Sequence, residues 1–316
     1  MKGWSCVKQK LDAGKLSSRY QRRLNNQQPT TSYSTEPAKV ILFSYTPYLE
    51  RVCAAAMRSC YSPHPAYSIY SNTPDSGTIL EGEKTYFDDE RVRYFIRKAK
   101  EMGHLDVLEH GSLTYDIQGV SRALTHQLVR HRLASFSQQS QRYVKVTRSF
   151  GYVKPPKIGD AKVKVDIRGT KLSLNFEDVV DIARQVEEGY LTLKISSEDA
   201  RFIRIGGAAT NIVVTANPRE YLHIFSLRCA KDAQWEIQDV CYVMLSLAKL
   251  VAPTIFETLP ESKEDAYVKE RMEKIDKILE PIRIRFSEAK RGELLELPLN
   301  TLPLHHPVEA YIRKIW

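Results

Sequence analysis

No window of this 316-residue sequence approaches the roughly 18 consecutive apolar residues that a membrane-spanning helix needs, and no apolar core follows the basic N-terminus as it would in a secretory signal. The expectation is a soluble protein of the cytoplasm. Cysteine is scarce and scattered: Cys6, Cys53, Cys60, Cys229 and Cys241 are odd in number and form no Cys-x-x-Cys pair. That argues against a disulfide framework and against a thiolate metal site, so reduced, mostly buried thiols and no metal are expected. Gly-x-Gly-x-x-G is absent, and although Gly77 and Gly82 have P-loop spacing, Glu83 stands where a lysine is required. A nucleotide held by this chain must be held some other way.

What is present is enough apolar residue, 42% of the chain, to build a real core in one large domain or two small ones. The formal net charge is +9, but residues 1–30 hold seven Lys/Arg against one acid, which leaves only +3 for the rest. Residues 1–37 are rich in Gln, Ser, Asn and basic side chains and poor in apolar ones, so they read as a disordered tail, solvated rather than dedicated to nucleic acid.

Lys39–Tyr45 reads as a buried strand, Pro47–Cys60 as a helix, and Tyr86–Met102 as a second helix closed by Gly103-His104. Residues 111–120 read as a strand, with Ser121 placed to cap a helix over Arg122–Arg130. Residues 162–175 alternate around Arg168-Gly169 in the pattern of a hairpin with one wet face. Further helices are predicted over Phe176–Leu193, Pro218–Cys229, Ala233–Leu250 and Glu264–Leu279, with a strand at Asn211–Thr215. The C-terminal extension from residue 258 is expected to be helical, its last part (280–316) being mixed in pattern. No internal repeat is found.

The segment with chemistry in it is marked by another absence. Between Asp116 and Asp160 lie 43 residues without an acid, yet with Arg122, Arg130, Arg132, Arg142, Lys145, Arg148, Lys154 and Lys157. A run of charge is ordinarily a solvated face. Here, however, every side chain from Ser135 to Arg142 except Phe136 can hydrogen-bond, and an extended chain would put Gln138, Ser140 and Arg142 on one face. An amide, a hydroxyl and a guanidinium side by side suit a phosphate and a polar heterocycle. If the helix continues through Arg130-His131-Arg132, its two arginines diverge by about 200° and serve different ligands or different subunits.

Arg130-His131-Arg132, seven residues, then Ser140 and Arg142, resembles the defining motif of the flavin-dependent thymidylate synthases. The resemblance extends from about residue 39 to 255. It takes in Gln127, the stretch Gly103-His104 to Glu109-His110, Glu198-Asp199-Ala200-Arg201, Asn217-Pro218-Arg219-Glu220, His223, Arg228 and Ala233-Gln234-Trp235-Glu236-Ile237. It implies a single-domain α+β fold with a mixed, largely antiparallel sheet flanked by helices. The catalytic domain would then be 38–257, with the hairpin near 162–175 inserted and 258–316 appended. It implies FAD as cofactor, NADPH and methylenetetrahydrofolate as co-substrates, and a homotetramer whose sites are shared between subunits.

By the same resemblance, dUMP is held by Gln127, Leu128, Val129 and Arg130, by Gln138, Gln139, Ser140, Gln141 and Arg142, and by Arg201 and Arg228. The flavin contacts are Asp106, Arg130, His131, Arg132, Gln138, Asn217, Pro218, Arg219 and His223, with His104 near flavin and folate. Arg228 takes the catalytic role, stabilising negative charge on the pyrimidine as N3 ionises. The other class of thymidylate synthase adds a cysteine to the ring from a Pro-Cys-His segment, and this chain has no Pro-Cys dipeptide. Ser140 reads as a hydrogen-bond donor to substrate, since a serine nucleophile needs a positioned base and the motif supplies none.

The chain departs from the family pattern at Gln138, where many relatives carry Glu, at Asp232, where some have His, and at Arg204-Ile205, where Leu-Pro is usual. Two alternatives stand beside this reading: a flavoenzyme making another one-carbon change to a pyrimidine, and a non-enzymatic nucleic-acid-binding protein.

Overall fold

The computed structural model describes residues 37–143, 151–259, 266–299 and 302–316; the expected tail, up to residue 36, lies outside them. Strand β1 (Ala38–Tyr45) alternates buried Ala38, Val40 and Leu42 with more exposed neighbours, as a period of two requires. Helices α1 (Leu49–Ser59), α2 (Ala66–Ser71) and α3 (Asp89–Glu101) follow. Asp88 caps α3, and Gly103, at φ +74°, carries the chain away from its C-terminal end. A 3-10 turn at Leu105–Glu109 leads to β2 (Leu113–Ser121) and α4 (Arg122–Leu128). Next come β3 (Ser135–Gln138), the hairpin β4 (Val163–Ile167) and β5 (Thr170–Leu174), α5 (Phe176–Thr192), α6 (Ser197–Ala200) and β6 (Ala209–Ala216). The chain ends with α7 (Pro218–Arg228), α8 (Trp235–Val251), α9 (Ala266–Glu288), β7 (Leu294–Leu297) and β8 (Val308–Arg313).

Six strands form one sheet in the order β3-β6-β2-β1-β8-β7. Every pairing is antiparallel except β1 with β8, so the fold is α+β with a mixed, largely antiparallel sheet, as expected. The hairpin forms its own two-stranded sheet, and its turn places Arg168 (φ +53°) and Gly169 (φ +85°) in the left-handed region that a two-residue hairpin demands.

Helix α8 is buried from Glu236 to Val251. It packs on β1, β2 and β8 and is covered by α7 and α9, which explains why it is apolar on all sides. Its buried polar groups are all partnered: Glu236 with Ser121, Gln238 with the Ala230 carbonyl and Tyr267, Asp239 with His305 and His306, and Lys249 with Asp276 at 2.8 Å.

Two expectations change here. Helix α9 runs on through Pro281 to Glu288, because Ile282 and Phe286 continue the buried stripe of Val268, Met272, Ile275 and Leu279. That packing outweighs the lost backbone hydrogen bond of an interior proline. Nor is the extension helical throughout: β7 and β8 add two strands to the main sheet, and β8 lies directly beside β1.

Candidate active site

The centre of the site is the turn after α4. The helix ends at Leu128 with Val129 as its C-cap, two residues short of the expected Arg130. Arg130-His131-Arg132 therefore lies in a turn, held by Arg130 N–H to the Gln127 carbonyl and His131 N–H to the Leu128 carbonyl. The helical angle between the arginines does not apply. Instead His131 points inward and is 5% exposed, while Arg130 and Arg132 point to solvent. Neither arginine makes an ion pair among the described residues.

Against His131 stands the last residue of α7. Arg228 donates from Nε to His131 Nε2 at 3.0 Å and from a terminal nitrogen to the Gln127 carbonyl at 3.4 Å. Both acceptors are neutral. An arginine does not surrender its proton, so His131 Nε2 is the unprotonated nitrogen and the ring hydrogen sits on Nδ1. Burial, then the Arg228 charge, then His223 push the His131 pKa down to about 4. The 3.9 Å approach of His131 Nδ1 to Glu220 is thus no ion pair at neutral pH. His223 stands edge-on to His131 with ring centroids 5.7 Å apart and is otherwise exposed.

Strand β3 ends at Gln138, so the extended face expected from 138 to 142 is broken after its first member. Gln138 turns inward and donates to Thr125 Oγ1 at 2.9 Å. Ser140 Oγ accepts the Arg142 N–H at 3.2 Å, a local side-chain turn that competes with the sheet ladder. Gln141 Nε2 is buried with no partner. The acid missing from this segment arrives from elsewhere. Glu198 takes Arg142 at 3.0 Å across half-exposed side chains, and its carbonyl accepts from Arg201 Nε at 3.0 Å. Such an exposed pair is weak enough to yield to an incoming anion.

On the other flank, Asn217 caps α7 through the Glu220 N–H at 2.8 Å, with Pro218 at the first helical position. Arg219 reaches Glu109 at 2.6 Å and ties α7 to the turn that carries His104 and Asp106, both exposed.

A sequence model of the family described as "Thymidylate synthase complementing protein" matches residues 41–254. A flavin-dependent thymidylate synthase of Geobacter sulfurreducens is 39% identical over 218 residues, which cover 69% of this chain and 85% of the relative. A protein of the same name from Nitratidesulfovibrio vulgaris is 42% identical over 227 residues, covering 70% and 86%. One from Clostridium tetani is 37% identical over 231 residues, covering 71% and 87%. The chain belongs to the flavin-dependent thymidylate synthase family.

Within this thymidylate synthase fold, the structure joins Gln127, His131, Arg228 and His223 in one cluster, and Arg142 with Arg201 through Glu198. Leu128 has its side chain fully buried in the core, which leaves only its backbone for a ligand. Gln139 is fixed through its backbone N–H to Asn211. Three participants were given no role of their own by the sequence. Glu198 and Glu220 are ordinary helix-start carboxylates until the fold sets them beside Arg142 and His131. Arg122, one of eight basic residues in its segment, is half-buried beside Arg201 and Arg204; burial first and then those two charges lower its pKa. Its backbone is bound to Ala208, at the end of the loop that Arg201 begins, and its guanidinium has no carboxylate among the described residues. Arg204 is tied by a fork to Glu187 and belongs to the scaffold.

Of the thiols among the described residues, Cys60 is exposed and the other three are buried. Burial pushes Cys53 and Cys241 up to about 12 and Cys229 well above the ordinary value, so all three are neutral.

Proposed function

We propose that this chain methylates dUMP to dTMP, with methylenetetrahydrofolate as carbon donor and FAD, recharged by NADPH, as hydride source. The observation that carries the reading is Arg228, a cation held by an imidazole nitrogen and a carbonyl, with no carboxylate paired to it among the described residues. A charge so placed is free to stabilise an anion forming on a bound ring, in a partly buried site where the interaction is strong. Arg122, Arg130 and Arg132, with no carboxylate partner among the described residues, and the Gln141 amide, likewise without a partner there, fit ligands rich in phosphate and carbonyl oxygen, FAD and dUMP among them.

In this reading Arg122, Arg142 and Arg201 take the phosphate of dUMP, which displaces Glu198 from Arg142. Ser140 and Gln141 donate hydrogen bonds, and Gln127 to Arg130 line the nucleotide with Gln138 and Gln139 beside them. Arg130, His131, Arg132, Asp106, Asn217, Pro218, Arg219 and His223 would hold FAD, with His104 at its edge. FAD, when bound, would supply hydride chemistry to the transferred carbon. Arg228 polarises the pyrimidine so that its C5 becomes nucleophilic without a thiol adduct, in keeping with the neutral, buried Cys53, Cys229 and Cys241.

The homotetramer is part of the proposal. Val129, Leu133, Phe202 and Leu227 are exposed apolar side chains within or next to these segments, a pattern that suits cover by other subunits. We place the enzyme in the cytoplasm, with its co-substrates.

The test begins with the visible spectrum of the purified protein, expected to be that of oxidised flavin, bleached by NADPH and restored by dUMP with the folate donor. Arg228→Ala should abolish dTMP formation while flavin stays bound. Wild-type turnover in that variant would remove Arg228 from the mechanism. A protein that neither carries nor takes up flavin would sink the function.

A further inference from the structure

Arg228 is aimed by His131, and something must aim His131. The ring is 3% exposed at its side chain, and its Nε2 is committed to Arg228 at 3.0 Å, so its hydrogen lies on Nδ1. Which nitrogen of a histidine carries the proton is set by the partner of the other. Nδ1 faces one carboxylate, Glu220 Oε1, at 3.9 Å. Glu220 is itself 5% exposed, and its carboxylate accepts no hydrogen bond from the described residues. Two buried side chains thus bring a carboxylate and a ring N–H, neither of them hydrogen-bonded to another described residue, to about one ångström beyond hydrogen-bond contact. A modest change in the Glu220 side-chain torsions closes that gap.

We propose that Glu220 is a positioning residue of the reaction: it accepts the Nδ1 hydrogen of His131, fixes the imidazole as the Nε2 acceptor, and so fixes the plane of the Arg228 guanidinium. Glu220 and Arg228 stand at opposite ends of α7, and the imidazole of the Arg-His-Arg turn joins them. The charged and titratable groups facing the ring are Glu220, His223 and Arg228, all from α7. Burial, then the Arg228 cation, then His223 keep it neutral, and the Glu220 carboxylate chooses the nitrogen. A leucine at 220 would leave Nδ1–H buried without an acceptor, and the ring would be free to exchange tautomers and release Arg228.

This inference rests on the proposed function only for its kinetic arm. The deciding measurement is the ¹⁵N spectrum of His131 in the full chain without nucleotide, in wild type, Glu220→Gln and Glu220→Leu. Wild type should show Nδ1–H and unprotonated Nε2. Glu220→Gln, whose amide oxygen still accepts, should keep that pattern, and Glu220→Leu should show a mixture. In turnover, kcat per bound flavin should fall about 10-fold in Glu220→Leu with the KM for dUMP little changed, and Glu220→Gln should recover most of it. Wild-type His131 protonated on Nε2 overturns the proposal even if the leucine variant does not fold. So does an unchanged tautomer in a folded Glu220→Leu, or a fall in kcat that glutamine does not rescue. A wild-type enzyme that forms no dTMP but shows the expected tautomers overturns the function and leaves the relay standing.

Discussion

The two hydrogen-bond partners of Arg228 are neutral, and His131 stays neutral because it is buried beside the guanidinium. This has a measurable cost in acid. The His131 pKa is depressed to about 4 in the folded protein against an ordinary 6.5, so its contribution to stability is complete above pH 6.5 and is lost as pH falls towards 4. At 1.36 kcal/mol per unit the loss is on the order of 3 kcal/mol. Glu220 and Glu236 are shifted upward by burial and act in the opposite sense, so the comparison must cancel them. The difference in unfolding free energy between wild type and His131→Gln should therefore shrink by about that amount between pH 7 and pH 4, measured by urea denaturation. A constant difference would mean that His131 charges freely in the fold. Ser140→Ala belongs to the same scale. Its hydroxyl serves as a turn acceptor and substrate donor with no base beside it, so a raised KM for dUMP with residual turnover is expected. Complete loss of chemistry at saturating dUMP would favour a nucleophile instead.

At the scale of the element, the Arg-His-Arg turn is only as fixed as the short helix that precedes it. Helix α4 has seven residues, too few to be stable alone. It is held at its start by Ser121, whose Oγ accepts the Leu124 N–H at 3.0 Å and donates to Glu236 Oε2 at 2.5 Å, while the Ser121 N–H donates to Glu236 Oε1 at 2.7 Å. The core helix α8 thus anchors the Arg-His-Arg turn through one carboxylate. Ser121→Ala should cost about 2 kcal/mol, the loss of a cap with a buried acceptor left short of a donor. Urea denaturation would measure it, and a change within about 0.5 kcal/mol, typical of an uncritical surface site, would refute the anchor. The cap was legible in advance, since a serine before a helical run has few other uses. Its hold on Glu236 was not, since the two lie 115 residues apart.

On the scale of the whole molecule, the C-terminal segment completes the sheet. Strand β8 pairs in parallel with β1 over Ala38–Leu42, and Asp239 at the start of α8 accepts the His305 and His306 N–H groups at 2.8 and 2.9 Å to seat the loop before it. A chain ending at residue 289 would leave β1 as an open, unpaired edge of the sheet. Such a truncation should aggregate, seen as loss of the native peak in size-exclusion chromatography, because an unpaired apolar edge strand templates association. A soluble, flavin-binding truncation would show the segment to be an accessory. The sequence by itself determined many of the strands and helices, since burial of one face imposes a period of two that survives in β1 and a period of 3.6 that survives in α3. It also determined the family, through residues whose spacing in the chain is itself the signature. Only the tertiary structure decided that β8 lies against β1, that Glu198 neutralises Arg142 while Arg228 has no carboxylate paired to it among the described residues, and that Glu220 stands behind His131. Those are meetings of residues far apart or on opposite ends of one helix, and the energy that selects them comes from packing and desolvation, which no local pattern records.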